Sequence, residues 1–185
     1  MLIRTLKTYC LTVQWCVGFI GRSVAWLMPV LAFVVAFEVF CRYVLDAPTI
    51  WAYDVSLFLF GYVASLGGAY AQLHNRHINV DVLYNHVPPR VQNLFNLISY
   101  VLAVFFLAIV FKIAIGKFEE AIQFNYRRQS EWAPSMHHYW VMIAVASALL
   151  MFQFSSDFIQ QAYHLFTGKK LIHDPEPIDD EEVAA

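Results

Sequence analysis

Residues 91–111, VQNLFNLISYVLAVFFLAIVF, contain no charged side chain, and this stretch decides the class of fold. Three further stretches share the property: Ser23 to Phe37, Val55 to Leu73 and Met136 to Ser156. At 1.5 Å per residue, each is close to the ~20 residues that cross a ~30 Å hydrocarbon layer. Backbone groups in lipid must be hydrogen-bonded within their own segment, so the stretches predict helices. We therefore expect an all-α integral membrane protein with four transmembrane helices plus short interfacial amphipathic helices.

The composition agrees with a membrane protein, because 59% of the 185 residues are hydrophobic and only 14% are charged. Four helices and their connections use nearly the whole chain, so we expect one transmembrane domain over residues 1–172 and no separate soluble domain. The predicted order is an interfacial lead-in helix at 1–21, spans at about 22–44, 50–73, 90–112 and 135–157, and a disordered acidic tail at 173–185.

The distribution of basic residues predicts the orientation. Seven Lys and Arg residues flank the spans on the side of the N-terminus, against five on the other side. Because cytoplasmic flanks carry the excess of Lys and Arg, we expect both termini in the cytoplasm. Before the tail the chain has 12 basic and 8 acidic residues, a balance that suits contact with anionic membrane lipids.

Four residues around the first connection between spans are candidates for a site. Glu38 and Arg42 are four residues apart on one helical face near the end of the first span, so they can form an ion pair. The pair either anchors two helices or takes a direct part in transport, and position alone leaves both open. Trp51 is predicted as an interfacial aromatic, and Asp54 complements the dipole of the second helix.

A row of small residues marks a predicted packing face on the second span. Gly61, Ser65 and Ala69 follow one another at intervals of four, with Ala64 and Gly68 alongside. Small residues at this spacing let two helix backbones approach closely. We therefore expect close helix contacts along this row.

The sequence contains little that predicts catalysis or a cofactor. Seven histidines are present, but none lies at the centre of a span, where haem would need ligands from facing helices. No nucleophile motif, phosphate loop or dinucleotide fingerprint occurs, so we expect no enzyme, no cofactor and no metal site in this chain. A membrane electron-transfer subunit binding haem or quinone, and a free-standing small membrane assembly protein, remain alternatives.

The segment EVFCRYVLDAPTIWAYDVSLFLFGYVASLGGAYAQLHNRHINVDVLY, residues 38–84, resembles the small membrane (DctQ-like) subunit of tripartite ATP-independent periplasmic (TRAP) transporters. The matching elements are Arg42-Tyr43, Trp51 with an acid three residues later, Gly67-Gly68-Ala69 and His77-Ile78-x-Val80-Asp81. The form HINVDVLY is most similar to the mannitol and chloroaromatic branch. Asp54 stands where the family usually has Glu.

This resemblance implies a non-catalytic subunit of a bacterial inner-membrane symporter. Such a subunit would scaffold a large elevator subunit and help a periplasmic substrate-binding protein to dock, for sodium-driven uptake of an organic acid or related solute. The sodium and substrate sites would lie in the partner, and this chain would bind no nucleic acid.

The same implication assigns roles to particular residues. The expected packing and structural residues are Glu38, Arg42, Trp51, Asp54, Gly61, Ser65, Gly68, His77 and Asp81. His77 and Asp81, four residues apart in a cytoplasmic connection, would pair with each other or contact the partner. The candidates for docking the binding protein on the opposite side are Arg127, Arg128 and Glu131.

Overall fold

The computed structural model describes residues 2–74, 89–167 and 171, and within these residues it contains helices and no strand. Four helical segments are long and apolar enough to cross a membrane, namely Ile3–Tyr43, Ala52–Leu73, Phe95–Gln123 and His137–Leu165. The predicted all-α class with four transmembrane helices is therefore confirmed. The helices are α1 (Leu2–Ala25), α2 (Leu27–Tyr43), α3 (Ala52–Leu73), α4 (Pro89–Gln123) and α5 (His137–Thr167).

A single break at Trp26 separates α1 from α2. Pro29 has no backbone N–H to donate to the carbonyl of Ala25, and its ring crowds that carbonyl. The helical hydrogen-bond ladder is therefore interrupted one turn before the proline. Apart from this break, Ile3–Tyr43 is one helical segment.

Helices α1 and α2 together run antiparallel to α3. At the start of α3, the Trp51 ring stacks on Phe37 of α2, with ring centroids 6.0 Å apart. At the end of α3, Leu73 packs against Gly18 of α1. We name these two ends of the bundle the Trp51 end and the Leu73 end.

Helices α1 and α3 approach each other closely at the Leu73 end. A Cβ at Gly21 would lie only 2.4 Å from ring atoms of Tyr70, so no larger residue fits without a shift. The neighbouring buried cluster contains Val13, Val17, Ala69 and Leu73, with Tyr9, Leu149 and Leu150 packed around it. Sequence reasoning did not single out Gly21, because an isolated glycine in an apolar helix has no spacing signal.

Helix α4 packs along α5 through small residues and leaves its other sides open. Ala114 and Ala121 are buried, whereas one long apolar side is exposed, consisting of Val101, Leu102, Phe105, Phe106, Ile109 and Ile113. At 35 residues, α4 is about 52 Å long, which exceeds the thickness of a hydrocarbon layer. The segment after residue 112 continues α4 to Gln123 and does not form a separate helix in the membrane interface.

Candidate functional site

Glu38 holds the connection between α2 and α3 in place through hydrogen bonds. Its Oε1 accepts hydrogen bonds from Nη2 and Nε of Arg42, at 2.6 and 3.1 Å. Its Oε2 accepts from the backbone N–H of Thr49, at 3.1 Å, and from the Thr49 hydroxyl. Both oxygens are therefore occupied by groups of the chain itself, next to the stacked ring of Trp51.

Asp54 is fully buried in the first turn of α3 and is neutralised there. Arg128 Nε lies 2.8 Å from Asp54 Oδ1, and the hydroxyl of Ser130 donates to Oδ2. The Arg128 guanidinium also lies over the ring of Tyr53, 5.6 Å from its centroid. These contacts attach α3 to the connection between α4 and α5, and they leave only a quarter of the Arg128 side chain exposed.

The connection at 124–136 folds back on itself as a short hairpin. The backbone N–H of Met136 donates to the Tyr126 carbonyl at 3.0 Å, and that of Arg128 donates to the Pro134 carbonyl at 2.9 Å. Ala133 adopts a left-handed conformation with φ of 48°. The hairpin presents exposed side chains at the Trp51 end, namely Arg127, Glu131 and Trp132.

The predicted row of small residues faces mainly the chain's own α5. A Cβ at Gly61 would lie 3.0 Å from the Tyr139 ring, and one at Gly68 would lie 3.8 Å from Leu150. Ser65, between them, is half-buried. This face therefore joins helices within the subunit.

The opposite face of α3 is open. A Cβ at Gly67 would have no atom within 4 Å, and Ala64, one turn earlier, is exposed. Phe60 on the same side is 61% exposed. The helix thus presents small residues on two sides, and on the outward side there is open space next to Gly67 in the described part of the chain.

Two of the predicted site residues, His77 and Asp81, lie outside the described residues. Their predicted pairing therefore stays a prediction. The predicted acidic tail at 173–185 also lies outside the described part of the chain.

A buried polar cluster around Asp157 was missed by sequence reasoning. Its Oδ2 accepts from Gln72 Nε2 and its Oδ1 accepts from Gln153 Nε2, both at 2.8 Å. Gln72, Gln153 and Ser156 are each less than a tenth exposed. Asp157 directly follows the uncharged stretch that ends at Ser156, so it resembled a flanking charge. The available signal was the spacing of Gln153 and Asp157, four residues apart on one helical face.

The described residues do not form a metal-binding cluster of the usual kind. Within residues 2–74, 89–167 and 171, no group of three His, Cys, Asp or Glu side chains converges. His138 Nδ1 lies 2.6 Å from the Tyr62 hydroxyl, and its ring contacts Phe58 edge-on. This histidine is therefore engaged between α3 and α5.

These observations define a multi-pass helical membrane protein whose helices are fastened at both ends by buried polar contacts. The chain matches the family described as "Tripartite ATP-independent periplasmic transporters, DctQ component" over residues 31–163. It therefore belongs to this family and is a small membrane subunit of a TRAP transporter in the inner membrane. The resemblance seen in residues 38–84 is confirmed.

A named relative agrees with the family assignment. The chain is similar to the C4-dicarboxylate TRAP transporter small permease protein DctQ of Vibrio cholerae serotype O1, with 28% identity over 76 residues. The alignment covers 41% of this chain, and it spans about a third (33%) of the length of the relative.

Proposed function

We propose that this chain is the stationary, non-catalytic scaffold of a TRAP transporter. It packs against the large membrane subunit, which moves the solute, and it helps a periplasmic substrate-binding protein to dock. The complete transporter takes up an organic acid or related solute together with sodium. The observation that carries the proposal is the family match over residues 31–163.

The contacts within the subunit support a stationary role. Asp54 joins α3 to the hairpin through Arg128, and Glu38 joins α2 to the start of α3 through Thr49. At the other end, Gln72 joins α3 to α5 through Asp157. Helix α3 is therefore held at both ends, as a support for a moving partner requires.

The outward face of α3 is the proposed contact with the large subunit. Ala64 is exposed, and a Cβ at the half-buried Gly67 would meet no atom within 4 Å, so the backbone of a partner helix can approach there closely. Gly61 and Gly68 already pack on α5 and are not available for this contact. The division of α3 into an inward and an outward face supports the assignment.

The hairpin at 124–136 is the proposed docking surface for the binding protein. With both termini in the cytoplasm, as the basic residues predict, the Trp51 end faces the periplasm. Arg127 and Glu131 are exposed there, with Trp132 beside them. Arg128 is engaged by Asp54, so its part is to hold the hairpin in place.

Co-purification of the large subunit tests the proposed face. Gly67→Leu places a branched side chain on the outward face and should reduce the amount of co-purified large subunit severalfold. Gly116→Leu in α4 is the matched control, because a Cβ there also has no atom within 4 Å. Its helical neighbours Lys112 and Glu120 are long, so a close backbone approach is not expected at that position.

Comparing Gly67→Leu with Gly116→Leu distinguishes loss of contact with the large subunit from loss of folding of this subunit. Both should keep the thermal midpoint of the isolated subunit, because a Cβ at either position meets no atom within 4 Å. Equal yields of complex from Gly67→Leu and wild type would refute the proposed face. Gly68→Leu is less informative, because Leu150 lies next to that position and the subunit itself would be disturbed.

A further inference from the structure

We propose that the groove between α4 and α5 near the Trp51 end binds one molecule of phosphatidylethanolamine. An acyl chain of the lipid lies in the groove, its phosphate meets Lys112 and its ammonium group meets Glu119. This inference concerns lipid binding by this subunit itself and does not depend on the proposed scaffold function.

The groove is apolar and opens to the outside of the bundle. It has a volume of about 380 Å³, and the carboxylate of Glu119 belongs to its lining. The apolar lining residues are Phe111, Ile115 and Phe118 of α4 and Val141, Ala144 and Val145 of α5. In the described part of the chain, α4 packs mainly along α5. The groove therefore lies at the edge of the bundle, where a hydrocarbon chain from the surrounding lipid can enter it.

The groove lies at a depth where its two helices differ in polarity. Its α5 side falls within the uncharged stretch Met136 to Ser156, just after Trp140. Its α4 side begins at Phe111, after which charged residues appear, namely Lys112, Lys117, Glu119 and Glu120. Tryptophan near the end of a span is typical of the headgroup level of a membrane. A phospholipid also changes there from an apolar chain to a charged headgroup, so it matches both sides of the groove.

Two charges on α4 are unpaired beside the groove. Lys117 pairs with Glu120 at 2.7 Å, whereas neither Lys112 nor Glu119 forms a hydrogen bond or ion pair with a described residue. Both side chains are exposed. Seven residues separate them, so they lie about 10 Å apart along one side of α4, with Ile115 of the groove between them. The edge of the groove therefore has one positive and one negative group.

This pair of charges selects a zwitterionic lipid. A phosphodiester carries the negative charge that suits Lys112, and an amine carries the positive charge that suits Glu119. An anionic lipid without an amine would leave Glu119 unpaired next to a like charge. A primary ammonium group also donates hydrogen bonds to a carboxylate, and such charge-assisted bonds are strong. Because the quaternary amine of a choline lipid has no N–H to donate, the geometry favours ethanolamine over choline.

Native mass spectrometry of the full chain tests the choice of headgroup. The chain is released from detergent micelles that contain equal amounts of phosphatidylethanolamine, phosphatidylglycerol and phosphatidylcholine with identical acyl chains. We expect wild type to retain one phosphatidylethanolamine severalfold more often than either other lipid. Glu119→Gln should abolish this preference, because it removes the charge that meets the ammonium group. Asp46→Asn, at another exposed acid of the Trp51 end, is the matched control and should keep the preference.

Two further variants test the rest of the site. Lys112→Gln should lower the retention of all three lipids severalfold, because each of them carries a phosphate. Ala144→Phe fills the groove and should lower the retention in the same way. Because Glu119 is exposed, Glu119→Gln should fold normally, so the test stays decisive if Ala144→Phe does not fold.

Three results would overturn the proposal. The first is equal retention of the three lipids by wild type, and the second is a preference for phosphatidylethanolamine that survives Glu119→Gln. The third is unchanged lipid retention by Ala144→Phe together with a lower yield of co-purified large subunit. That result would assign the groove to a helix of the partner.

Discussion

Two aspartates at opposite ends of the same helix bundle, the buried Asp54 and the half-buried Asp157, are satisfied in different ways. Asp54 at the Trp51 end contacts the guanidinium of Arg128 and a serine hydroxyl. Asp157 at the Leu73 end contacts only the amides of Gln72 and Gln153. One carboxylate is therefore neutralised by this chain, and the other receives hydrogen bonds without a compensating charge from the described residues.

The difference teaches that an acid in this helix bundle can be held in two ways, by an ion pair or by neutral donors alone. An ion pair with a nearby Arg holds the connection between two helices in place, because removing either partner leaves the other charge buried and unpaired. A carboxylate that accepts only from neutral amides joins its helices through hydrogen bonds without an ion pair.

The largest effect is expected when Arg128 is removed from Asp54. Arg128→Ala leaves a buried unpaired carboxylate, which costs about 3–5 kcal/mol. At ~2–4 °C per kcal/mol for a chain of this length, the midpoint of thermal unfolding should fall by roughly 10 °C. Arg127→Ala, at the exposed neighbouring position, is the control and should change the midpoint little. If Arg128→Ala and Arg127→Ala had similar midpoints, the ion pair of Arg128 with Asp54 would contribute little to stability. Asp54 and Asp157 would then not differ in the way proposed.

The next largest effect is expected where α1 packs on α3 at the Leu73 end. Gly21→Ala places a Cβ about where the Tyr70 ring now lies, at 2.4 Å, so α1 or the ring must shift. Overpacking of this kind costs ~1–3 kcal/mol, and the midpoint should fall by several degrees. Gly67→Ala, on the open face of the same bundle, should leave the midpoint unchanged. Equal midpoints for the two alanine variants would show that α1 is not closely packed there.

A smaller effect is expected from Asp157→Asn. The substitution keeps the size of the side chain and removes its charge, so the loss should stay within about 1.5 kcal/mol, the range for a hydrogen bond. The free energy of unfolding is measured by chemical denaturation in detergent micelles, with Arg128→Ala measured in parallel. A loss as large as that of Arg128→Ala would mean that Asp157 is also neutralised within the chain.

The smallest effect is expected for the pair of Lys117 and Glu120 on α4. Their side chains approach to 2.7 Å, but both are more than 40% exposed. Exposed ion pairs contribute little, because water and salt screen them. Lys117→Ala should leave the thermal midpoint indistinguishable from wild type. A clear loss of stability would show that exposure is a poor guide to the strength of the ion pairs in this protein.

Much of the fold could be predicted from local sequence, because a membrane imposes a length and an internal hydrogen-bonding requirement on every span. The four apolar stretches indicated helices, and residues 38–84 indicated the family. The end of α4 could not be placed in this way. Nothing in the sequence after residue 112 separates a long helix from a span followed by an interfacial helix.

The individual site residues were harder to interpret than the fold. Arg127 and Arg128 are adjacent and identical in type, and both were candidates for an exposed docking surface. The fold of the hairpin leaves Arg127 exposed and directs Arg128 onto Asp54. Likewise, Gly61, Gly67 and Gly68 belong to one small-residue segment, yet of the three only Gly67 has room for an added Cβ with no atom within 4 Å.

The sequence by itself determined the class of protein, the number of spans and the family, because these depend on hydropathy over ~20 residues and on a local pattern of motifs. Only the tertiary structure decided which polar residues meet. Asp54 and Ser130 are 76 positions apart in the chain, and Gln72 and Asp157 are 85 apart. Local periodicity carries no information about such pairs, since they form only when helices distant in sequence pack side by side.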